Sequence, residues 1–245
     1  MTREERVADA FVTLANSLVD DFDVVDLLTG LTADCAALLD IASAGVLLAD
    51  DRGLLHVIAA SSESTWRLEL FQLQRDEGPC LECYRTGAPV IVPDVEAESA
   101  RWPRFVDAAL SAGFASVHAM PMRLPRTVLG ALGLFGSDVG ALSDANRALA
   151  QALAHVGSVA ILRGQGDIDR AAIADRLRHA VTSRMVLEQA KGFLADRGQL
   201  DMDGAFTVLR QYAHAHRLRL AEVARAVVDR SLPVGDVLAV RQEIP

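Results

Sequence analysis

The spacing between hydrophobic residues changes from one region of the chain to the next, and each spacing predicts a type of secondary structure. Up to residue 40, apolar residues recur every three or four positions, as on amphipathic helices. Between residues 44 and 136, short apolar runs bounded by turn residues are typical of strands. From residue 143 the helical period returns. The predicted helices are 3–19, 24–40, 63–73, 103–112, 143–162, 168–196, 202–216 and 219–231, and the predicted strands are a hairpin within 44–61, then 89–95, 116–124 and 127–136.

This order predicts two parts of different fold class. The strands 116–124 and 127–136 are almost continuously hydrophobic, which indicates burial on both faces or a central position in the sheet. We expect an α/β part built on a central antiparallel sheet flanked by helices, followed by an all-α part of three helices. The Gly-rich stretch RGQGD at 163–167 is the best candidate for a hinge between them.

Composition indicates a globular protein with a substantial core, since 51% of its 245 residues are hydrophobic and 23% are charged. The apolar runs are too short to span a bilayer, and the first residues lack the apolar region of a signal peptide. Three cysteines do not suit a secreted disulfide framework. We therefore expect a cytoplasmic protein with no membrane partner.

Charge is distributed unevenly along the chain. The net charge is −9, but residues 1–166 carry 12 Arg and 22 Asp or Glu, a net of −10, whereas residues 167–232 carry 11 Lys or Arg and 9 acids, a net of +2. This asymmetry separates an acidic first part from a mildly basic second part. An excess of +2 does not by itself predict nucleic-acid binding.

One stretch of the second part, SRMVLEQAKGFLADRG at 183–198, contains the chain's only lysine, Lys191. Arg184, Glu188 and Lys191 share one face of the predicted helix, either as a ladder of ion pairs or as a surface that contacts phosphates. Gly192 beside them weakens a helix, which indicates that a neighbouring helix or a ligand backbone comes close.

Three motifs in this part carry a resemblance to a known family. They are S-R-x-x-x-E-Q-A-K-G at 183–192, D-x-x-x-A-F-x-x-L-R-x-Y-A at 201–213 and L-x-x-V-A-x-x-V-V at 220–228. Together they resemble the ANTAR domain, a three-helix RNA-binding domain of bacterial transcription antiterminators. The resemblance implies binding to paired hairpins in nascent RNA, a homodimer, and no DNA partner.

The resemblance and the charges around it predict the residues that contact RNA. Positive side chains would meet phosphates or loop bases, small residues would allow close approach, and Tyr212 would stack on an unpaired base. His214, His216 and Arg219 would extend the basic surface. The predicted RNA-binding residues are Arg184, Gln189, Ala190, Lys191, Gly192, Arg197, Arg210, Tyr212 and Arg217.

The first part resembles a GAF domain, with G-P-C-L-E-C-Y-R-T-G at 78–87 and P-V-I-V-P-D-V at 89–95 as its most similar block. The predicted domains are therefore a GAF-like sensor at 5–163, an ANTAR domain at 164–232 and a C-terminal tail at 233–245. GAF domains bind many different ligands or none, so the resemblance implies an unidentified small molecule and no named cofactor.

The motif Cys80-x-x-Cys83 leaves several interpretations open. Two thiols at this spacing can pack, form a redox disulfide or ligate a metal with Cys35 and His118, although nothing in the spacing requires a metal. Cys80, Cys83, His118 and Trp102 are the candidates for ligand or redox sensing.

The sequence contains no catalytic series or phosphate-binding glycine loop, so we expect no enzyme. We predict a signal-responsive antitermination regulator. The alternatives are a sensor or scaffold whose helices contact proteins, and a cysteine-dependent reductase of methionine sulfoxide with the GAF fold.

Overall fold

The computed structural model describes residues 2–16, 23–125, 127–162 and 170–239, and omits the side chains of 15, 16, 162, 170–174, 176 and 177. The predicted hinge at 163–167 therefore lies outside the described residues. Contacts divide the chain into an N-terminal unit, Met1–Arg178, and a C-terminal unit, His179–Pro245.

A five-stranded antiparallel sheet forms the centre of the N-terminal unit, with strand order β2-β1-β5-β4-β3. The two strands at 116–124 and 127–136, β4 and β5, lie inside the sheet, and β5 is central. The strands are β1 (Ser43–Ala49), β2 (Leu55–Ala60), β3 (Val90–Val92), β4 (Ser116–Leu124) and β5 (Thr127–Gly136).

Helices cover both faces of the sheet, which explains why the strands lack an alternating polar face. α2 and α6 pack on one face, where a Cβ added at Gly157 would lie 3.3 Å from Cε of Met122. α3, α4 and α5 cover the opposite face. The helices are α1 (Arg3–Asn16), α2 (Val24–Leu39), α3 (Glu63–Arg75), α4 (Pro79–Thr86), α5 (Pro103–Ser111) and α6 (Asp144–Leu162), with a short 3-10 turn at Glu96–Glu98.

The helix caps follow from residue chemistry. The Asp23 carboxylate accepts the backbone N–H of Val25 at 2.7 Å and so caps the start of α2. Asp201 does the same for the helix Met202–His216 by accepting the N–H of Gly204 at 2.7 Å. Ser143 accepts the backbone N–H of Asn146 at 3.2 Å and so caps α6.

Four helices reach into the C-terminal unit: α7 (Arg170–Gly198), α8 (Met202–His216), α9 (Leu220–Val228) and α10 (Val234–Ala239). The division between the units falls within α7. Apolar stripes of α7, α8 and α9 form the core, and α10 adds Val237. The buried apolar residues of this unit are Ala180, Leu187, Ala190, Leu194, Ala205, Val208, Leu209, Ala213, Leu220, Val223, Ala224, Val227 and Val237.

Candidate nucleic-acid interface and sensor core

The ladder of charges on α7 lies at the inner edge of the helix. Arg184 Nη2 contacts Glu188 Oε1, and Lys191 Nζ lies 3.0 and 3.1 Å from the two Glu188 oxygens. The side chains of Arg184 and Lys191 are 5% and 4% exposed, whereas that of Glu188 is 24% exposed. One carboxylate at the edge of the core thus pairs with two buried cations.

Lys191 is also close to an aromatic ring of α8. Its ammonium lies 5.8 Å from the centroid of the Phe206 ring, within the range of a cation–π interaction. With its charge paired to Glu188 and its stem buried, Lys191 ties the first helix of this unit to the second. In this arrangement the ammonium faces the protein interior, so direct contact with RNA requires the surrounding chain to open.

The opposite face of α7 is open to solvent and partly apolar. Gln189 and Gly192 are exposed, and Met185 and Phe193 expose 60% and 44% of their surface. Phe193 therefore faces outward. A Cβ added at Gly192 would have no described atom within 4 Å. Packing against the described chain therefore does not explain this glycine.

Further exposed basic residues lie on α8 and in the turn after it. Arg210 is exposed on α8, and Arg217 forms the left-handed C-cap with φ of 54°. Residues 204–221 contain no Asp or Glu. The structure thus divides the predicted RNA-binding set: Arg184, Ala190 and Lys191 are buried, Tyr212 is half-buried, and Gln189, Gly192, Arg197, Arg210 and Arg217 are exposed.

The last turn of α8 holds two stacked rings. The centroids of Tyr212 and His216 are 4.0 Å apart with an interplanar angle of 21°. His216 was predicted only as part of a basic surface. The structure adds its ring contact, for which the sequence signal is the i, i+4 spacing of two aromatic rings on a helix.

In the N-terminal unit, the two thiols of the C-x-x-C motif are buried in the first turns of α4. Cys80 and Cys83 are both 0% exposed and unbonded to each other. Burial raises the pKa of the Cys83 thiol to about 12 and that of Cys80 well above its usual range. Both are therefore protonated near neutral pH, whereas the thiolate is the reactive form.

A fully buried carboxyl group, which the sequence analysis missed, contacts the first thiol. The Cys80 thiol donates to Glu69 Oε1 at 3.3 Å, and Gln72 Nε2 donates to Glu69 Oε2 at 2.8 Å. The backbone N–H of Cys80 donates to Gln72 Oε1 at 3.0 Å, which closes the cluster. Burial raises the pKa of Glu69 to about 8. The carboxyl is therefore held as the neutral acid through most of the physiological range.

Two glycines of the sheet make room for this cluster. A Cβ at Gly133 of β5 would lie 2.5 Å from Glu69 Oε1 and 2.8 Å from the sulfur of Cys80. A Cβ at Gly45 of β1 would lie 3.1 Å from the same Glu69 oxygen. Two features of the sequence thus indicate this buried cluster: a glutamate on the apolar side of α3 and a glycine in the middle of a central strand.

The remaining sensor candidates lie on different faces of the sheet. Trp102 is buried in the same cluster as Cys80 and meets the Phe105 ring edge-on at 6.2 Å. His118 has the strand parity of Met122, so it lies on the opposite face, towards α2 and α6. Burial lowers the pKa of His118, and a hydrogen bond to the backbone of Gly140 partly opposes this shift.

Among the described residues, no three His, Cys, Asp or Glu side chains are placed to hold a metal ion. Within that same part of the chain, no helix combines the length and the apolar character needed to cross a bilayer.

Several solved structures are similar to this chain over 56–64% of its length. The GAF domain of a phosphoenolpyruvate-protein phosphotransferase from Coxiella burnetii is 14% identical, with a TM-score of 0.50 over 64% of this chain and 93% of that one. The corresponding domain from Acinetobacter is 14% identical, with a TM-score of 0.48 over 63% and 91%. A type II free methionine-R-sulfoxide reductase from Thermoplasma acidophilum is 15% identical, with a TM-score of 0.41 over 56% and 94%. The comparison with curated proteins finds no match.

Family models agree with the motifs and with the observed architecture. A model of the GAF domain matches residues 23–162, more than half of the chain, and a model of the ANTAR domain matches residues 175–228. A sensor module followed by an RNA-binding module is the architecture of a signal-regulated RNA-binding regulator. The chain therefore belongs to the GAF-domain family and carries an ANTAR domain behind its GAF domain.

Proposed function

We propose that this protein is a transcription antitermination regulator that binds paired hairpins in nascent RNA in response to a signal received by its GAF domain. The observation that carries the proposal is the ANTAR match over residues 175–228, together with a segment of that domain, 204–221, that contains exposed arginines and no acid. Binding to such hairpins would stop a terminator from forming.

The exposed arginines support the choice of RNA as the partner. Arg197, Arg210 and Arg217 are all solvent-exposed, so they can approach a phosphate backbone without any rearrangement of the core. Arginine contacts to phosphate release counterions and make binding depend on salt. Gln189 and Gly192, exposed on α7, would face unpaired loop bases, which is where RNA sequence is mostly read.

The GAF domain would supply the regulation. We propose that a small molecule or a redox change reaches the cluster around Cys80, Glu69 and Trp102, which packs between the sheet and its covering helices. Because the thiols are buried and protonated, an input there must displace a covering helix before it reacts or binds. The input acts by favouring one arrangement of the protein over another. The input changes either the geometry of a homodimer or the access of RNA to the ANTAR domain. The second alternative is suggested by the preceding residues 1–166, which carry a net charge of −10.

RNA binding is tested by fluorescence anisotropy of a labelled two-hairpin RNA with the full-length protein across a salt series. We expect wild type to bind with a clear salt slope and Arg210→Ala to bind more weakly, with the slope reduced by about one. Arg225→Ala is the matched control, because Arg225 is an exposed arginine of the same unit on α9. Equal losses for the two variants would mean that only general charge matters, and no wild-type binding at low salt would refute the proposal.

A specific observation favours a second candidate function, in which the helical unit binds a protein. Met185 and Phe193 expose apolar surface on the outer face of α7. If the protein fails to bind RNA at low salt, light scattering of wild type and Met185→Lys would test whether this face joins two copies. The buried, protonated Cys80 and Cys83 do not favour the reductase alternative.

A further inference from the structure

The end of α8 presents a pair of aromatic rings held in a fixed geometry. The Tyr212 and His216 rings are nearly parallel at 4.0 Å, and His216 Nδ1 donates a hydrogen bond of 2.9 Å to the backbone carbonyl of Tyr212. This bond fixes the plane of the imidazole. Tyr212 is half-buried beneath it and His216 is exposed, so the pair is anchored on one side and open on the other.

The hydrogen bond alone is a common helix ending, in which a histidine satisfies a carbonyl of the last turn. Its surroundings add a second observation. Arg217 and Arg219 follow directly and are exposed, and the left-handed backbone at Arg217 turns the chain sharply after the rings. The nearest acid in the sequence after the rings, Glu222, accepts the backbone N–H of Arg219 in the cap of α9. Rings and positive charges therefore occupy the same turn.

These features match the chemistry of single-stranded nucleic acid. Unpaired bases stack on aromatic side chains because every base has a π-face, and neighbouring arginines hold the phosphates on either side. A base added to the outer face of His216 would extend an existing stack of two rings. Binding costs little side-chain entropy at His216, because the hydrogen bond to the Tyr212 carbonyl already holds the imidazole in position.

We infer that Tyr212 and His216 form a stacking platform for one unpaired base of an RNA hairpin loop, with Arg217 and Arg219 on the adjacent phosphates. The inference rests on the proposed RNA binding and adds a base-contacting surface at the end of α8. It gives Arg184, Glu188 and Lys191 a different role, which is to fix α7 against α8 from within.

The test uses the full-length protein and the two-hairpin RNA with 2-aminopurine at single loop positions. Wild type is expected to quench 2-aminopurine at one loop position on binding, as a stacked base does. His216→Ala removes the upper ring and is expected to weaken binding about tenfold or more and to abolish the quenching. His216→Phe keeps a ring and is expected to retain the quenching, with affinity within about threefold of wild type.

His214→Ala is the matched control, since His214 is an exposed histidine of the same helix end outside the stacked pair. It is expected to bind and quench as wild type does. The inference is overturned if His216→Ala binds and quenches like wild type, because the rings would then serve the helix end alone. It is also overturned if His216→Phe loses quenching as fully as His216→Ala while its circular dichroism is unchanged. In either case wild-type binding shows that the proposed function stands, whereas a wild type that fails to bind refutes both.

Discussion

The buried carboxyl group of Glu69 makes the stability of the GAF domain depend on pH, and Glu69→Gln isolates this effect. The side chain is 0% exposed, and the hydrogen-bond partners it has, the Cys80 thiol and the Gln72 amide, are neutral. No charge among them compensates for an ionised carboxylate. An amide in its place is neutral at every pH and has nearly the same shape.

The magnitude follows from the difference in proton affinity between the folded and unfolded states. Burial raises the pKa of Glu69 from 4.5 to about 8, so between these values the folded domain holds a proton that the unfolded chain has released. Stability therefore falls as pH rises through this window, and it is constant with respect to this group above and below it. Each pH unit of the window is worth about 1.4 kcal/mol, so the full loss is about 5 kcal/mol.

Urea unfolding followed by tryptophan fluorescence measures this effect in the intact protein. Trp66 and Trp102 are the chain's two tryptophans and both belong to the N-terminal unit, so the signal reports the GAF domain. Near pH 5 the Glu69→Gln variant and wild type are expected to unfold at similar urea concentrations. By pH 8 the variant is expected to be more stable by several kcal/mol, a midpoint shift of about 2 M urea.

The control is Glu96→Gln, a change of the same chemistry at an exposed position in the 3-10 turn, which is expected to follow wild type at every pH. If wild type loses no more stability than Glu69→Gln between pH 5 and pH 8, the carboxyl is already ionised in the folded domain. The argument from burial and neutral partners would then be wrong.

Three further substitutions have defined outcomes. Gly133→Ala places a Cβ within 2.9 Å of three side-chain atoms and is expected to cost about 3 kcal/mol or more, seen as a lower urea midpoint of tryptophan fluorescence. Gly192→Ala has space for its Cβ and is expected to stabilise α7 by about 0.5–1 kcal/mol, measured by hydrogen exchange. Gly30→Ala is the control and is expected to stabilise α2 by a similar amount, so a loss of RNA affinity in Gly192→Ala alone would reveal a partner's approach. Glu188→Ala removes the carboxylate shared by two buried cations and is expected to lower the stability of the C-terminal unit by about 3 kcal/mol, measured as faster amide exchange in α8. Asp196→Ala, a change at an exposed position of the same helix, is expected to change this exchange little.

The sheet and most helices could be predicted from the sequence because the spacing of hydrophobic residues in these segments is unambiguous. The predicted strands 116–124 and 127–136 coincide with β4 and β5, and the cap at Asp201 marks the start of α8. The helix α4 was not predicted, because Gly78, Pro79 and Gly87 have the composition of a loop. The structure uses the same residues as helix boundaries, with Pro79 in the first turn and Gly87 as the left-handed C-cap with φ of 65°.

The candidate sites were less predictable because they depend on the orientation of side chains. Arg184 and Lys191 are three and four residues from Leu187, which places them at the border between the buried and exposed sides of α7, and spacing alone does not decide which way they point. The hydrogen bonds of Glu69 depend on contacts between α3 and α4 that no local pattern encodes. Glu69 has room in the interior because two sheet residues beside it, one on β1 and one on β5, are glycines without a Cβ.

Salt dependence separates the two roles that a lysine in the interior of an RNA-binding domain can have. A side chain that contacts phosphate releases counterions on binding, so its removal weakens affinity and also lowers the slope of log Kd against log salt concentration. A side chain that only holds two helices together changes the affinity but leaves the slope intact. Because Lys191 is 4% exposed and paired with Glu188, Lys191→Ala should give a line parallel to that of wild type, whereas the line for Arg210→Ala should be flatter. A flattened line for Lys191→Ala would mean that the ladder opens when RNA binds and that the lysine leaves Glu188 for a phosphate.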